Sequence, residues 1–246
     1  MLAFNPCILI PIYNNKDTIR DVVRSLEYLN LPCLVIDDGS DESTRQVLQQ
    51  IDADFTWVSI IHRTQNAGKG AAMATGFRAA VDLGYTHAVQ LDADGQHNAS
   101  DVPRFLERAR GSPEALILSK PIFDDNAPAV RRYGRWVTTF WVCIETWSVD
   151  IKDALCGFRC YPLQSVMQLY QQTKIGAGMV FDTEIAVRLH WNGVPMVNVE
   201  TQVDYAKGGL SHFRYLEDNL RIIRLHTELV LGMVLRIPRL LLRSRT

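Results

Sequence analysis

A chain of 246 residues, 47% of them apolar, is long enough to bury a substantial core, which excludes a disordered or fibrous protein. Its 26 basic and 27 acidic side chains leave a formal net charge of −1, against the basic excess of a general nucleic-acid binder. It contains no run of about 18 to 20 apolar residues that would span a bilayer as a helix.

The opening residues do not pattern as a secretory signal, because Asn5 and Pro6 interrupt them and no basic region precedes an apolar core. Cys7-Ile8-Leu9-Ile10 then reads as a strand broken at Pro11, followed by the polar Tyr13-Asn14-Asn15 and a helix through Ile19, Val22, Val23 and Leu26. The unit repeats, with Leu34-Val35-Ile36 running into Asp37-Asp38-Gly39-Ser40 and a polar helix carrying Val47 and Leu48. A third strand, Val58 to Ile61, leads through Asn66-Ala67-Gly68-Lys69-Gly70 into a small-residue helix over 71–83. The fourth, Ala88-Val89-Gln90-Leu91, delivers Asp92-Ala93-Asp94-Gly95-Gln96-His97.

Short apolar strands alternating with helices predict an α/β fold with a doubly wound, mostly parallel sheet, and such sheets bind ligands at the carboxyl ends of their strands. Each polar cluster falls at such an end. In extended backbone alternate side chains share a face, so Asp92, Asp94 and Gln96 converge as oxygen ligands of the kind that hold Mg²⁺ or Mn²⁺ on a diphosphate. A plain polar turn is the other reading of the same residues. Asn66, Gly68 and Lys69 open a helix, where free N–H groups favour a phosphate, unless the glycine is simply a cap. The segment is not a Walker loop, since Gly70 stands where Ser or Thr is required.

Further on, Ser100 to Pro103 reads as a helix start, Ala115 to Leu118 as a fifth strand, and residues 123–128 as a mobile loop near the site. A helix over 131–147 carries Trp136, Phe140, Trp141, Ile144 and Trp147 at helical spacing, and this aromatic face is expected to be core, although a lipid- or acceptor-facing helix would carry the same pattern. Arg131, Arg132 and Arg135 at its start are candidates for phosphate contact. Asp182 lies in the first turn of a helix running to about Asn192, followed by a strand from Met196 to Val203 and a turn bearing His212 and Arg214. Two segments are expected: a catalytic domain over 1–215 and a basic, amphipathic helical segment over 216–246. From Arg221 onward six arginines face only Glu228, which suits the surface of a membrane, or else docking on the domain or a second subunit. The five cysteines are scattered with no Cys-x-x-Cys pair, so they read as reduced, buried thiols of a cytoplasmic protein.

As an ordered set, Pro11-Ile12-Tyr13-Asn14-Asn15, Asp37-Asp38-Gly39-Ser40, Asn66-x-Gly68-Lys69-Gly70, Asp92-Ala93-Asp94-Gly95-Gln96, Gly157-Phe158-Arg159 and Phe181-Asp182-x-Glu184 resemble the inverting family-two glycosyltransferases of GT-A fold. The resemblance covers about residues 6–215, and is strongest to the polyprenyl-phosphate glycosyltransferases, of the dolichyl-phosphate mannose synthase kind. It implies that Pro11, Tyr13, Asn14 and Asp38 surround the nucleoside of a nucleoside-diphosphate sugar, and that Asp92, Asp94 and Gln96 hold the metal. It also implies that Arg159, His212 and Arg214 lie near phosphates or acceptor, and that Asp182 serves as base if the acceptor is a hydroxyl. The chain departs from that subgroup at Gly209-Leu210-Ser211-His212, where a basic Gly-x-Ser-Lys turn is usual, and it lacks the Gln-x-x-Arg-Trp motif of processive synthases.

The expectation is therefore an inverting, metal-dependent hexosyltransferase acting on a membrane-borne lipid acceptor, peripheral on the inner face of the cytoplasmic membrane and open to homo-oligomerisation. A haloacid-dehalogenase phosphatase would place its Asp-x-Asp on the first strand, and a nucleotidyltransferase would carry a Gly- and Lys-rich loop near the start. A donor-binding scaffold without turnover is the non-enzymatic alternative.

Overall fold

The computed structural model describes residues 3–122, 129–202 and 215–238, with side chains described outside 129–132 and 215–219. The first half alternates β1 (Pro6–Ile12), α1 (Lys16–Leu26), β2 (Cys33–Asp37), α2 (Glu42–Asp54), β3 (Val58–His62), α3 (Lys69–Asp82) and β4 (His87–Gln90). After α4 (Val102–Gly111) come β5 (Leu116–Ile122), α5 (Ala129–Thr146), β6 (Arg159–Pro162), α6 (Leu163–Gln172), α7 (Phe181–Trp191), β7 (Met196–Gln202) and α8 (Tyr215–Val234). One seven-stranded sheet results, in the order β3-β2-β1-β4-β6-β5-β7.

Central β1 and β2 are buried on both faces, so their sequences are continuous apolar runs without alternation. The pleat nevertheless sorts them. Ile8, Ile10 and Ile12 point into a core shared with α1, α2 and α4, while Cys7 and Leu9 point into the core under α3, α6 and α7. Gly76 of α3 lets that helix lie close to the sheet, since a Cβ there would stand 3.1 Å from Ile36.

The sheet is mostly parallel, as expected, with the exception of β6, which pairs antiparallel with β4 and with β5. Its four residues, Arg159 to Pro162, are all buried, and the arginine at its start hides it from an apolar-run reading. Phe77, Tyr161 and Phe181 meet here across 5.0 and 6.4 Å, joining α3, β6 and α7.

The expectation that the aromatic residues of α5 form core is overturned. Trp136, Phe140, Trp141 and Trp147 are 64%, 51%, 40% and 50% exposed, and it is Thr138, Val142, Glu145 and Thr146 that turn inward. Glu145 is admitted to the interior because His226 of α8 meets it at 2.6 Å. The inner side of α8 adds Leu225, Leu229 and Met233 to the core beneath α7. Among the described residues no helix is long and apolar enough to cross a membrane.

Phe77 is fully buried at the junction of three elements. Phe77→Ala is expected to cost about 3 to 5 kcal/mol, read as a lowered midpoint in urea unfolding with an unchanged slope.

Candidate functional site

The site lies where β1, β2 and β4 end. Backbone sterics build the first wall: Asn14 adopts a left-handed φ of 55°, its N–H donates to Ser40 Oγ at 3.1 Å, and its side-chain oxygen accepts from the Asp41 N–H at 2.8 Å. The loops after β1 and β2 are thus stitched together, leaving Pro11 at the strand end and Tyr13 38% exposed on the rim. Asp38 sits below them and is 3% exposed. It accepts from the Gly68 N–H at 2.7 Å, the Ala67 N–H at 3.2 Å and the Arg63 guanidinium at 2.7 Å. Burial pushes its carboxyl above the ordinary value against the pull of these donors.

That arrangement changes the reading of two predicted residue sets. Asp38, expected against the nucleoside, is consumed in shaping the loop before α3. At the start of α3, expected as a phosphate cradle at Asn66, Gly68 and Lys69, Asp38 accepts from the Ala67 and Gly68 N–H groups just before the helix, and Ala177 O accepts from the Ala71 N–H at 3.2 Å. Gly68, at φ 99°, has Ala177 O only 2.6 Å from where a Cβ would stand. The loop bearing Ala177 is held in turn by Glu184, which accepts from the Gly176 N–H and from Arg188, both at 2.7 Å.

Lys69 instead sends its side chain into the cleft. Its ammonium lies 2.7 Å from Asp92 and 2.7 Å from Asp182, and it is only 14% exposed. Burial works to discharge this amine, but the Asp182 and Asp92 charges outweigh it and hold the amine protonated far above the ordinary lysine value. Asp92 answers in kind, its carboxyl held well below the usual range by Lys69 and His97 despite burial. Gln90, the last residue of β4, donates to Asp92 at 3.4 Å and to Asp182 at 3.3 Å, and its own oxygen accepts from the Tyr161 hydroxyl at 3.1 Å. Gly157 closes the space, since a Cβ would fall 2.6 Å from both Asp92 Oδ2 and Lys69 Nζ.

Asp94 is the outer carboxylate of the pair and is exposed on the rim. Crowding by the protein, and then the neighbouring charge of Asp92, push its carboxyl upward. Gln96 reaches it through the main-chain N–H at 3.0 Å. The turn is pinned from below by Thr18, whose hydroxyl donates to Ala93 O at 2.6 Å. His97, 6% exposed, lies 3.4 Å from Asp92 and packs on Phe158, which stacks on Phe105 at 4.0 Å. Two acidic oxygen groups of like charge at an open edge suit a hard divalent cation, whose remaining ligands would come from water and a diphosphate. The described residues contain no group of three or more Asp, Glu, His or Cys side chains gathered as metal ligands.

Arg159, expected near phosphates or acceptor, does neither, because it is fully buried. Its guanidinium donates to the carbonyls of Cys156, Ala154 and Asp182, so it clamps the start of β6 to the first turn of α7 and fixes where Asp182 stands. His212, Arg214 and the loop 123–128 lie outside the described residues, as do the side chains of Arg131 and Arg132. Gln90, Gly157, Tyr161 and His97 are site residues that sequence reasoning did not assign. The available signals were Gln90, an amide at the end of a short buried strand, and Gly157, which stands in the Gly157-Phe158-Arg159 motif.

Lys69→Met leaves Asp92 and Asp182 facing each other without a cation. Asp92 keeps some water contact, so the expected loss is about 2 to 3 kcal/mol, below the 3 to 5 typical of fully buried pairs. Asp92 has a depressed native pKa, so its contribution is present above about pH 4 and is lost as pH falls toward the native value. The gap between wild type and variant in urea titrations is therefore expected to be widest near neutrality and to narrow below about pH 4.

The Glycosyl transferase family 2 model matches residues 7–164, more than half of the chain. The chain is 27% identical over 200 residues to the polyprenol monophosphomannose synthase of Mycolicibacterium smegmatis, covering 78% of this chain and 74% of that protein. It is 27% identical over 219 residues to the undecaprenyl-phosphate mannosyltransferase of Micrococcus luteus, covering 82% and 87%. Glucosyl-3-phosphoglycerate synthase of Mycobacterium tuberculosis, crystallised with Mn²⁺, UDP and phosphoglyceric acid, superposes with a TM-score of 0.69 at 15% identity, over 94% of this chain and 78% of that one. With its sheet order, its rim of polar loops and these matches, the chain belongs to glycosyl transferase family 2 and has the GT-A fold.

Proposed function

We propose that this glycosyltransferase moves a hexose from a nucleoside-diphosphate sugar to a lipid-borne acceptor at a membrane surface, with inversion at the anomeric carbon and with Mg²⁺ or Mn²⁺ bound. The observation that carries the reading is the bridge of Lys69 between Asp92 and Asp182, at the strand ends where doubly wound sheets take their ligands. Relatives named for polyprenol, undecaprenyl-phosphate and dolichyl-phosphate acceptors support the lipid, and neighbours of the same fold crystallised with UDP and Mn²⁺ or Mg²⁺ support the donor and the ion.

Asp94, with Asp92 behind it, would hold the cation. When bound, that ion supplies positive charge to the departing diphosphate. Lys69 adds a fixed ammonium beside the same carboxylates, placed in advance of any charge that develops. Tyr13, Asn14 and Pro11 line the nucleoside end of the rim, and Gln96 closes the turn that carries Asp94. Gln90 and Lys69 hold Asp182 with its carboxylate toward the cleft. A phosphate acceptor is already anionic and needs no base, whereas a hydroxyl acceptor needs Asp182 to take its proton.

Transfer from a panel of nucleotide sugars, with Mn²⁺ and either a polyprenyl phosphate or a lipid hydroxyl, tests this directly. Asp94→Ala is expected to lower metal-dependent transfer by at least about 100-fold with unchanged melting temperature. Near-normal rates in that variant remove the metal role. For Asp182→Asn, a loss of at least about 100-fold is expected with a hydroxyl acceptor and a far smaller one with a phosphate acceptor. If wild type turns over no donor with either acceptor or with water, the chain is a donor-binding protein and the reading fails.

A further inference from the structure

We propose that the outward face of α5, with α8 beside it, is the surface by which the protein lies on an anionic lipid bilayer; this deepens the reading of a lipid-borne acceptor and rests on it. The helix is inside out. Its solvent side carries Tyr133, Trp136, Phe140 and Trp141, 67%, 64%, 51% and 40% exposed, while Thr138, Glu145 and Thr146 are buried beneath. The four rings form one continuous ridge, with successive centroids 6.3, 6.1 and 6.0 Å apart. A helix facing only water would be polar on that side, and apolar surface gathered into one patch marks a contact.

Three observations favour a bilayer over a second copy of the chain. Tryptophan, tyrosine and phenylalanine together are the residues that settle at headgroup depth, where an apolar ring body and a polar edge are both accommodated. The neighbouring α8 meets the ridge where Trp141 stands 6.3 Å from His226, and it interleaves exposed Leu220 and Ile223 with Arg221 and Arg224. In the sequence, Arg131 and Arg132 open α5, and from Arg221 to the end six arginines stand against Glu228, a basic excess that complements anionic headgroups, although α8 also carries Glu217 and Asp218. The third is position. On the opposite side of α5 Arg135 pairs with Asp153 at 2.6 Å, and Asp153 accepts from the Cys156 N–H at 2.7 Å, next to the Gly157 that closes on Asp92 and Lys69. The ridge therefore stands one short segment from the reacting groups, where a lipid-borne acceptor arriving from the membrane would enter.

The test uses the full chain and sedimentation with vesicles of phosphatidylcholine containing about one third phosphatidylglycerol. Wild type is expected to bind these, and to bind pure phosphatidylcholine more weakly. The double variant Trp136→Ser, Phe140→Ser is expected to partition at least about tenfold less, with unchanged Mn²⁺-dependent hydrolysis of a nucleotide sugar in solution. As a measurement independent of that variant, brominated lipids should quench wild-type tryptophan fluorescence, and Trp136→Phe should remove a large part of the quenching. Vesicle binding by the double variant equal to wild type overturns the proposal, as does the absence of quenching. Equally fatal is a wild-type dimer without vesicle affinity that the double variant converts to monomer, which would assign the ridge to a second copy. Loss of sugar transfer with retained vesicle binding would instead count against the acceptor reading while sustaining the surface.

Discussion

An ammonium wedged between two carboxylates organises this molecule. Asp92 ends the central strand system and Asp182 begins a helix ninety residues later in the chain, and neither tolerates its near-buried position without a counter-charge. Lys69 supplies that charge to both at once. The rest of the site serves the same arrangement: Gln90 bonds to both acids, Tyr161 fixes Gln90, and Gly157 lacks the side chain that would push the lysine away. Asp38, Asp41 and Ser40 act one step further out, shaping the loops through which the lysine emerges.

Charge in this protein is used for position more than for contact. Arg159 carries a guanidinium into the interior and spends it on three carbonyls, so a residue expected to meet phosphates becomes the tie between β6 and α7. Glu184 does the same for the loop that covers the start of α3. Glu145 and His226 join α5 to α8 through a pair that the surrounding side chains hide from water, with burial pushing the Glu145 carboxyl up. In each case a polar group is buried only because its partners are fixed by backbone or by a single opposing side chain.

Much of the architecture was legible because local pattern and tertiary demand agree in the first half of the chain. The apolar runs at 7–10, 34–36, 58–61 and 88–91 each end at a polar cluster, and those ends share one rim. Where the two diverge, the sequence misleads. β6 is four residues long and starts with a buried arginine, so no period marks it. The aromatic spacing of α5 is that of a core helix, and only the threonines and glutamate opposite, unremarkable by themselves, show which side turns inward. Asp38 and Gly68 were read as ligand contacts because the types are right, while in the structure the Gly68 N–H donates to the Asp38 carboxylate, a pairing that a sequence does not display.

The reversed direction of β6 has a consequence for how such a scaffold diversifies. β5 leaves the sheet at the same rim to which the chain returns when β6 begins, so everything between residues 122 and 159 is a detour that departs from and rejoins the catalytic edge. Its anchors are Ser119, whose N–H donates to Phe158 O, and the clamp of Arg159. Between them the outward face of α5 is free to change its chemistry without shifting β1 to β4, since it is the inner side, through Val142 and the Glu145–His226 pair, that packs on the rest. A framework of this kind can alter one closed appendix at the rim while β1 to β4 and their polar loops stay as they were.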